Sequence, residues 1–415
     1  MRLIHTADWH LGKSLEGVSR LYEQELFLQD FVELVEEKNP DLVLIAGDIF
    51  DSYNPPAKAE QLFYRTLKNL SKNGERLVVV IAGNHDNPER LVAAGPLAME
   101  HGIVMAGLPK TVVPSGIYGK QEIIESGEGY IKALVNGEKM VLLLCPYPNE
   151  RRLKEVLYGD MEEEEERLIS YTEALDHWFR QLETHFEEDA VNLMAAHLFV
   201  EKSVEAGSER SIALGGSYLL PGALLPEKAQ YIALGHVHKT QIVPETSHRA
   251  YYSGAPLVYH KGELNARTGD MPPKNCMMVE VEAGQEAKVE AVPIPVYKPI
   301  ELWRCESVEE AIRCCEAHQG EDSYVYLEVQ TDSYIKEDQM KEMRRWKEDI
   351  LAVTPVPVQR ETPEEGETVR MEDKSILELF CDYYRSVRNM DLDQETLDVL
   401  KEILVEEEVT EDETD

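Results

Sequence analysis

Five short apolar runs, each stopping at a side chain that can bind a metal, constrain this chain more than any other feature. RLIHTA (2–7) is followed by Asp8-Trp9-His10, DLVLIA (41–46) by Gly47-Asp48-Ile49-Phe50-Asp51, and RLVVVIA (76–82) by Gly83-Asn84-His85-Asp86. AVNLMAA (190–196) meets His197, and AQYIALG (229–235) meets His236-Val237-His238. Uninterrupted apolar runs of this length read as strands covered on both faces. Between the first two, LYEQELFLQDFVELVEEKN (21–39) spaces Leu26, Phe27, Phe31, Leu34 and Val35 helically, and AKAEQLFYRTLKNLSKNG (57–74) repeats the pattern before Gly74 stops it. Strand alternating with helix predicts an α/β domain. In such sheets ligands gather beyond the carboxyl ends of the strands, so five strand ends would converge on one crevice.

Residues 103–145 read as shorter hairpin strands with turns at Pro114–Gly119 and Asn136–Gly137. The run GDMEEEEERL (159–168) opens a helix continuing through Leu175, Trp178, Phe179 and Leu182, its glutamates forming a solvated face. The texture changes at 270–275, so a first domain is expected over 1–272 and a small α+β module over 273–360, reading strand, helix, strand, helix, strand from 296. Residues 361–374 read as an acidic linker, and 375–415 as two amphipathic helices (about 375–388 and 393–407) with an acidic tail.

The donors at the strand ends are carboxylates, an amide and imidazoles, without thiolate. That mixture suits Mn, Fe(II), Co or Zn, and two cations sharing one Asp would use it better than one. The six cysteines (145, 276, 305, 314, 315, 381) are scattered without zinc spacing, which fits a reducing cytoplasm. The N-terminus shows no signal-peptide pattern, and no apolar run is long enough to span a membrane. From the residues alone, Asp51 and Asp86 read equally well as turn or supporting groups. His5, His101, His177, His185, His248, His260 and His318 lack a comparable setting.

A net charge of −37 argues against broad coating of nucleic acid. The acid is concentrated, however: 14 acids stand against 5 bases in 150–189, and 20 against 5 in 361–415. A focused phosphate site stays open. Lys13, Arg20, Arg90 and Lys239 follow strand ends and could face a phosphate backbone, or serve as ordinary surface charge.

Asp-x-His, Gly-Asp-x-x-Asp, Gly-Asn-His-Asp, the strand-end His197 and Gly-His-x-His occur in order, and together they resemble the calcineurin-like metallophosphoesterases. The wider wording HTADWHLGKSLEG, LIAGDIFD, IAGNHDNPERL and LGHVHK is similar to the SbcD family of nuclease subunits, most strongly over 1–110 and 190–260. The resemblance implies two β-sheets flanked by helices, a small α+β capping domain and C-terminal helices. It implies that Asp8, His10 and His238 hold one divalent metal, that Asn84, His197 and His236 hold the other, and that Asp48 bridges. Manganese is the favoured metal. His85 would be the proton donor and Asp51 the carboxylate that orients it.

The implied activity is metal-dependent cleavage of DNA, as a double-strand exonuclease and a single-strand or hairpin endonuclease in repair, recombination and replication. The implied partner is an SbcC-type coiled-coil ATPase docked on the terminal helices, with a homodimer of this chain inside a heterotetramer. The complex would be cytoplasmic and nucleoid-associated, and no nucleotide would bind this chain itself. A phosphodiesterase or phosphatase of the same superfamily acting on a small molecule is the alternative, because the metal core does not choose between them.

Overall fold

In the computed structural model, which describes residues 1–148, 171–207 and 219–357, the first three apolar runs are adjacent strands. β1 (Arg2–Thr6), β2 (Leu42–Ala46), β3 (Leu77–Ile81) and β4 (Ile103–Ala106) lie parallel in that order. The crossovers carry α1 (Leu21–Lys38) and α2 (Ala57–Leu70). Every residue of β2 and β3 is buried, because alternate side chains face two different layers. Ile4, Val43, Ile45, Val78 and Val80 pack on Phe27, Phe31, Leu62 and Phe63 of the two helices. Leu3, Leu42, Leu44, Leu77, Val79 and Ile81 face a second sheet.

That second sheet begins as an antiparallel meander of β5 (Gly116–Tyr118), β6 (Gln121–Gly127), β7 (Tyr130–Val135) and β8 (Glu138–Cys145). Asn136 and Gly137 both have positive φ, the geometry a two-residue hairpin between β7 and β8 requires. After α3 (Tyr171–Glu183), β9 (Val191–His197) and β10 (Tyr231–Gly235) continue the sheet in parallel beside β8. β11 (Gln241–Ile242) and β12 (Ala250–Tyr252) complete the edge, β12 parallel to β10 and β11 antiparallel to β12. Leu175, Trp178, Phe179 and Leu182 of α3 cover the outer face against Leu143, Met194, Ala196, Ile232 and Leu234. Helices, sheet, sheet and helix thus stack as the sandwich that the resemblance implied.

The division drawn at 272/273 in the sequence does not coincide with the structural one. β13 (Lys274–Glu280) pairs antiparallel with β1, and β14 (Lys288–Ile294) with β13, so this segment completes the first sheet. β13 gives the open edge of β1 its main-chain partners, and its Met277 and Val279 enter the layer between the sheets. The first unit therefore spans Met1–Pro299, and a second begins at Ile300.

Within that second unit, β15 (Ile300–Cys305), α4 (Val308–Ala317), β16 (Tyr324–Gln330), α5 (Glu337–Trp346) and β17 (Ile350–Val356) follow the alternation read in the sequence. Its three strands are parallel in chain order, and Val325, Leu327 and Val329 pack against Ala311, Cys315 and Met343. Ser307 caps α4 by accepting from the Glu310 N–H. The glutamate run at 159–168, the linker at 361–374 and the terminal helix pair lie outside the described residues. Among the described residues, no helix is long and apolar enough to cross a membrane.

Candidate metal centre

The five polar clusters meet where β1, β2 and β3 of one sheet and β9 and β10 of the other reach their carboxyl ends. His197 is the last residue of β9, and the other donors sit in the turns just beyond their strands. Asp8 (φ 55°), His10 (45°), Asp48 (51°) and His236 (104°) all adopt left-handed backbone that non-glycine residues avoid. Each such residue costs on the order of 1–3 kcal/mol unless its surroundings over-determine it. Two glycines give the donors room: a Cβ on Gly83 would run into the Asp48 carboxylate, and one on Gly235 into the Ala46 carbonyl.

Among the described residues three groupings of donors result, two built on the strand-end ligands and a third, His10 with Asp51 and His85, that shares His10 with the first. In the first, ligand atoms of Asp8, His10 and His238 lie within 4.8 Å of one another, and His10 Nε2 faces His238 Nε2 at 3.0 Å. In the second, Asp48, His197 and His236 are grouped in the same way, with Asn84 Oδ1 2.9 Å from both His197 Nε2 and His236 Nδ1. Asp48 Oδ2 lies 3.6 Å from His10 Nε2 and 3.5 Å from His197 Nε2, so one carboxylate oxygen stands between the groups. Asp8 Oδ1 accepts the His236 N–H at 2.9 Å, while its Oδ2 is buried with no hydrogen-bond partner. A carboxylate oxygen left this way costs about 1–3 kcal/mol or more, which a cation would offset. The donor set and the orphaned oxygen fit a pair of divalent metals.

The electrostatics point the same way. Burial, partly offset by His197, pushes the Asp8 carboxyl up to about 7. Burial opposes charge on His197, but Asp48 outweighs it and raises the imidazole to about 9. Burial and neighbouring His197 hold His236 down at about 3. Cations entering here displace protons, so their affinity weakens as pH falls.

His85 stands at the junction. Its N–H donates to Asp48 Oδ1 at 2.8 Å, and its ring meets the His10 ring edge-on with centroids 4.6 Å apart. Its Nδ1 lies 2.8 Å from the Asp51 carbonyl oxygen, an acceptor only, so Nδ1 carries the hydrogen. The expected orienting bond from the Asp51 carboxylate is thus made by the same residue's backbone. The carboxylate is 4.0 Å from His85 Nδ1 and instead takes Lys13 Nζ at 2.7 Å, with His10 Nδ1 at 3.5 Å. Burial pushes Asp51 up, but His10 and Lys13 more than offset it and hold the carboxyl below its ordinary range. Asp86 is fully buried and accepts the N–H groups of Ile49, Phe50 and Gly83, tying the β2 turn to the β3 turn.

The four basic residues have separate fates. Arg20 is not a surface group: it is 1% exposed, forms a bidentate pair with Glu23 at 2.5 and 2.6 Å, and donates to the Val258 carbonyl. Burial without a partner would be costly for a guanidinium, and the first turn of α1 supplies one. Lys13 is engaged by Asp51, and Arg90, though exposed, holds Glu60 through two nitrogens. Lys239 is exposed and borders a cavity of about 470 Å³ beside His238. The sequence had no local signal for Gln24, Tyr259 or Tyr147. Gln24 bonds the His10 carbonyl and the Gly12 N–H, Tyr259 packs edge-on to His10 and His238, and Tyr147 stacks on His236.

Comparison with known proteins agrees with this geometry. Residues 1–240 match the calcineurin-like phosphoesterase family, and 296–388 match the type 5 capsule protein repressor C-terminal domain. The chain is 35% identical over 385 residues to the SbcD subunit of the SbcCD nuclease of Bacillus subtilis, covering 92% of each. Identity to the protein of the same name is 32% in Rhodobacter capsulatus, covering 64% of each chain. In Escherichia coli K12 it is 28%, covering 82% of this chain and 81% of that one. With five strand ends presenting buried carboxylates and imidazoles to one point, the chain belongs to the calcineurin-like phosphoesterases, in the branch of the SbcD nuclease subunits.

Proposed function

We propose that this phosphodiester hydrolase is the nuclease subunit of a complex with an SbcC-type coiled-coil ATPase and cuts DNA at the strand-end centre. The observation that carries the reading is one buried carboxylate, Asp48, between two donor groups with His85 bonded to it. The names of the relatives support the substrate and the partner. Asp8, His10 and His238 would hold one cation, Asn84, His197 and His236 the other, and Asp48 both. Bound there, two divalent cations supply charge neutralisation for the phosphate and a water of lowered pKa. Manganese suits the mixed nitrogen and oxygen donors, with iron, cobalt and zinc as its competitors.

His85 manages the proton of the leaving oxygen. With Nδ1–H committed to the Asp51 carbonyl, Nε2 is the atom that exchanges it. The Asp51 carboxylate lies 4.0 Å from His85 Nδ1 and is paired with Lys13. Exonuclease action on duplexes and endonuclease action on single strands and hairpins belong to the same proposal, with Lys239 as a candidate for the DNA backbone. So do a homodimer of this chain in a heterotetramer, docking of the ATPase on residues 375–415, and a cytoplasmic, nucleoid-associated location.

The decisive assay incubates a blunt DNA duplex with the chain and manganese, with and without the ATPase. Degradation that requires manganese, rises with the ATPase and vanishes in Asp48→Ala is expected. An enzyme that hydrolyses small diesters but leaves duplex, single-stranded and hairpin DNA intact would overturn the reading in favour of a small-molecule phosphodiesterase.

A further inference from the structure

The first donor group is backed by a closed circuit of buried side chains that the reaction itself does not use. Tyr259 lies at its centre, 3% exposed. Its ring meets His10 edge-on at 5.5 Å between centroids and His238 edge-on at 6.1 Å, so one side chain touches both imidazoles of the group. Its hydroxyl donates to the Trp9 carbonyl at 2.5 Å and lies 3.3 Å from Gln24 Nε2. Gln24 in turn donates to the His10 carbonyl at 2.7 Å. These bonds grip the Asp8–His10 turn, two of whose residues hold left-handed backbone. On the other side, the Tyr259 N–H donates to Glu263 Oε1 at 2.8 Å, Glu263 Oε2 takes Lys274 Nζ at 2.5 Å, and Lys274 reaches the His238 carbonyl at 3.4 Å. The circuit therefore runs from the backbone of one imidazole ligand to the backbone of the other.

The second group is held by other means. His197 Nδ1 donates to the Ala46 carbonyl at 2.8 Å, and Tyr147 stacks on His236 with centroids 6.2 Å apart. A change at Tyr259 thus reaches the two groups unequally.

We propose that Tyr259 is a positioning residue that sets cation affinity at the Asp8–His10–His238 group independently of the Asn84–His197–His236 group; the inference rests on the ligand assignment above. Side chains that orient metal ligands typically change affinity about 10–100-fold when removed. The test is a manganese titration of the full-length protein by calorimetry, with the number of ions counted and the fold checked by circular dichroism. Wild type should bind two ions. In Tyr259→Leu one ion should weaken by about 10–100-fold while the other keeps its affinity. Tyr259→Phe, which keeps the ring but loses the bond to Trp9, should fall between the two.

Fewer than two ions in wild type would overturn the ligand assignment itself. Two ions in wild type, with both or neither weakened in Tyr259→Leu, would overturn the role of Tyr259 alone. Should the Leu variant not fold, Tyr259→Phe decides: selective weakening of one ion supports the role, and unchanged or uniformly lowered affinity overturns it.

Discussion

Asp48 stands between two donor groups that are built differently. The second is set by main chain: His197 ends a strand of one sheet and its ring is held by the carbonyl that ends a strand of the other. Left-handed residues occur in both, at Asp8 and His10 and at Asp48 and His236, but the turn of the first is held down by the side chains of Gln24 and Tyr259. A group built on paired strand ends is protected by the whole sandwich. One braced by side chains can be loosened by a single substitution, and can be tuned the same way.

Asp48→Ala should have the largest effect, because it removes the oxygen that stands between the groups. Both ions should be lost and DNA hydrolysis should drop to background; metal analysis finding two tightly held ions would remove the shared carboxylate from the comparison. Arg20→Ala comes next. It breaks the buried ion pair with Glu23 and cuts the tie to Val258 next to Tyr259, so about 3–5 kcal/mol of stability should go. Denaturant unfolding measures that loss. A variant of unchanged stability but weaker, less salt-sensitive DNA binding would return Arg20 to the surface role.

His85→Ala should keep both ions and lower turnover by at least ~10²-fold, the usual scale for a lost general acid. Metal loss in that variant would make His85 part of the first group instead of a neighbour to it.

The smallest effect comes from a residue outside both groups. His5 of β1 is buried between the sheets against the Tyr231 hydroxyl at 2.8 Å, and burial holds its imidazole down at about 3, against 6.5 when unfolded. Between those values the unfolded chain binds a proton that the folded chain refuses, so this residue lowers stability as pH drops below 6.5. His5→Gln should flatten that dependence by up to about 1.4 kcal/mol per pH unit. Parallel curves for the two proteins would show that His5 does not titrate this way.

The strand-end donors were readable because the elements that carry them announce themselves. A parallel strand covered on both faces is apolar along nearly all its length, and a polar cluster at its end has few other uses. The pairing of β13 with β1 was not readable, since KNCMMVE states that a strand exists but not which edge, some 270 residues earlier, it will complete. The burial of Arg20 was hidden for the same reason: its carbonyl partner at Val258 is distant in sequence. Gln24 and Tyr259 look like any amide on a helix and any tyrosine in a loop. The need for glycine at position 83 was not readable either: its φ is ordinary, and what demands glycine there is the Asp48 carboxylate pressed against it.

The bond from the His236 N–H to Asp8 Oδ1 joins the turn after the first strand of one sheet to the turn after a strand of the other. Both donor groups straddle that seam: Asp8 and His10 face His238, and Asn84 faces His197 and His236. Loading the centre is therefore thermodynamically linked to closure of the sandwich itself. At a cation concentration 100 times the dissociation constant, each ion should add about 2.7 kcal/mol to the folded state, so cellular metal supply would govern how long the protein survives as well as how fast it works.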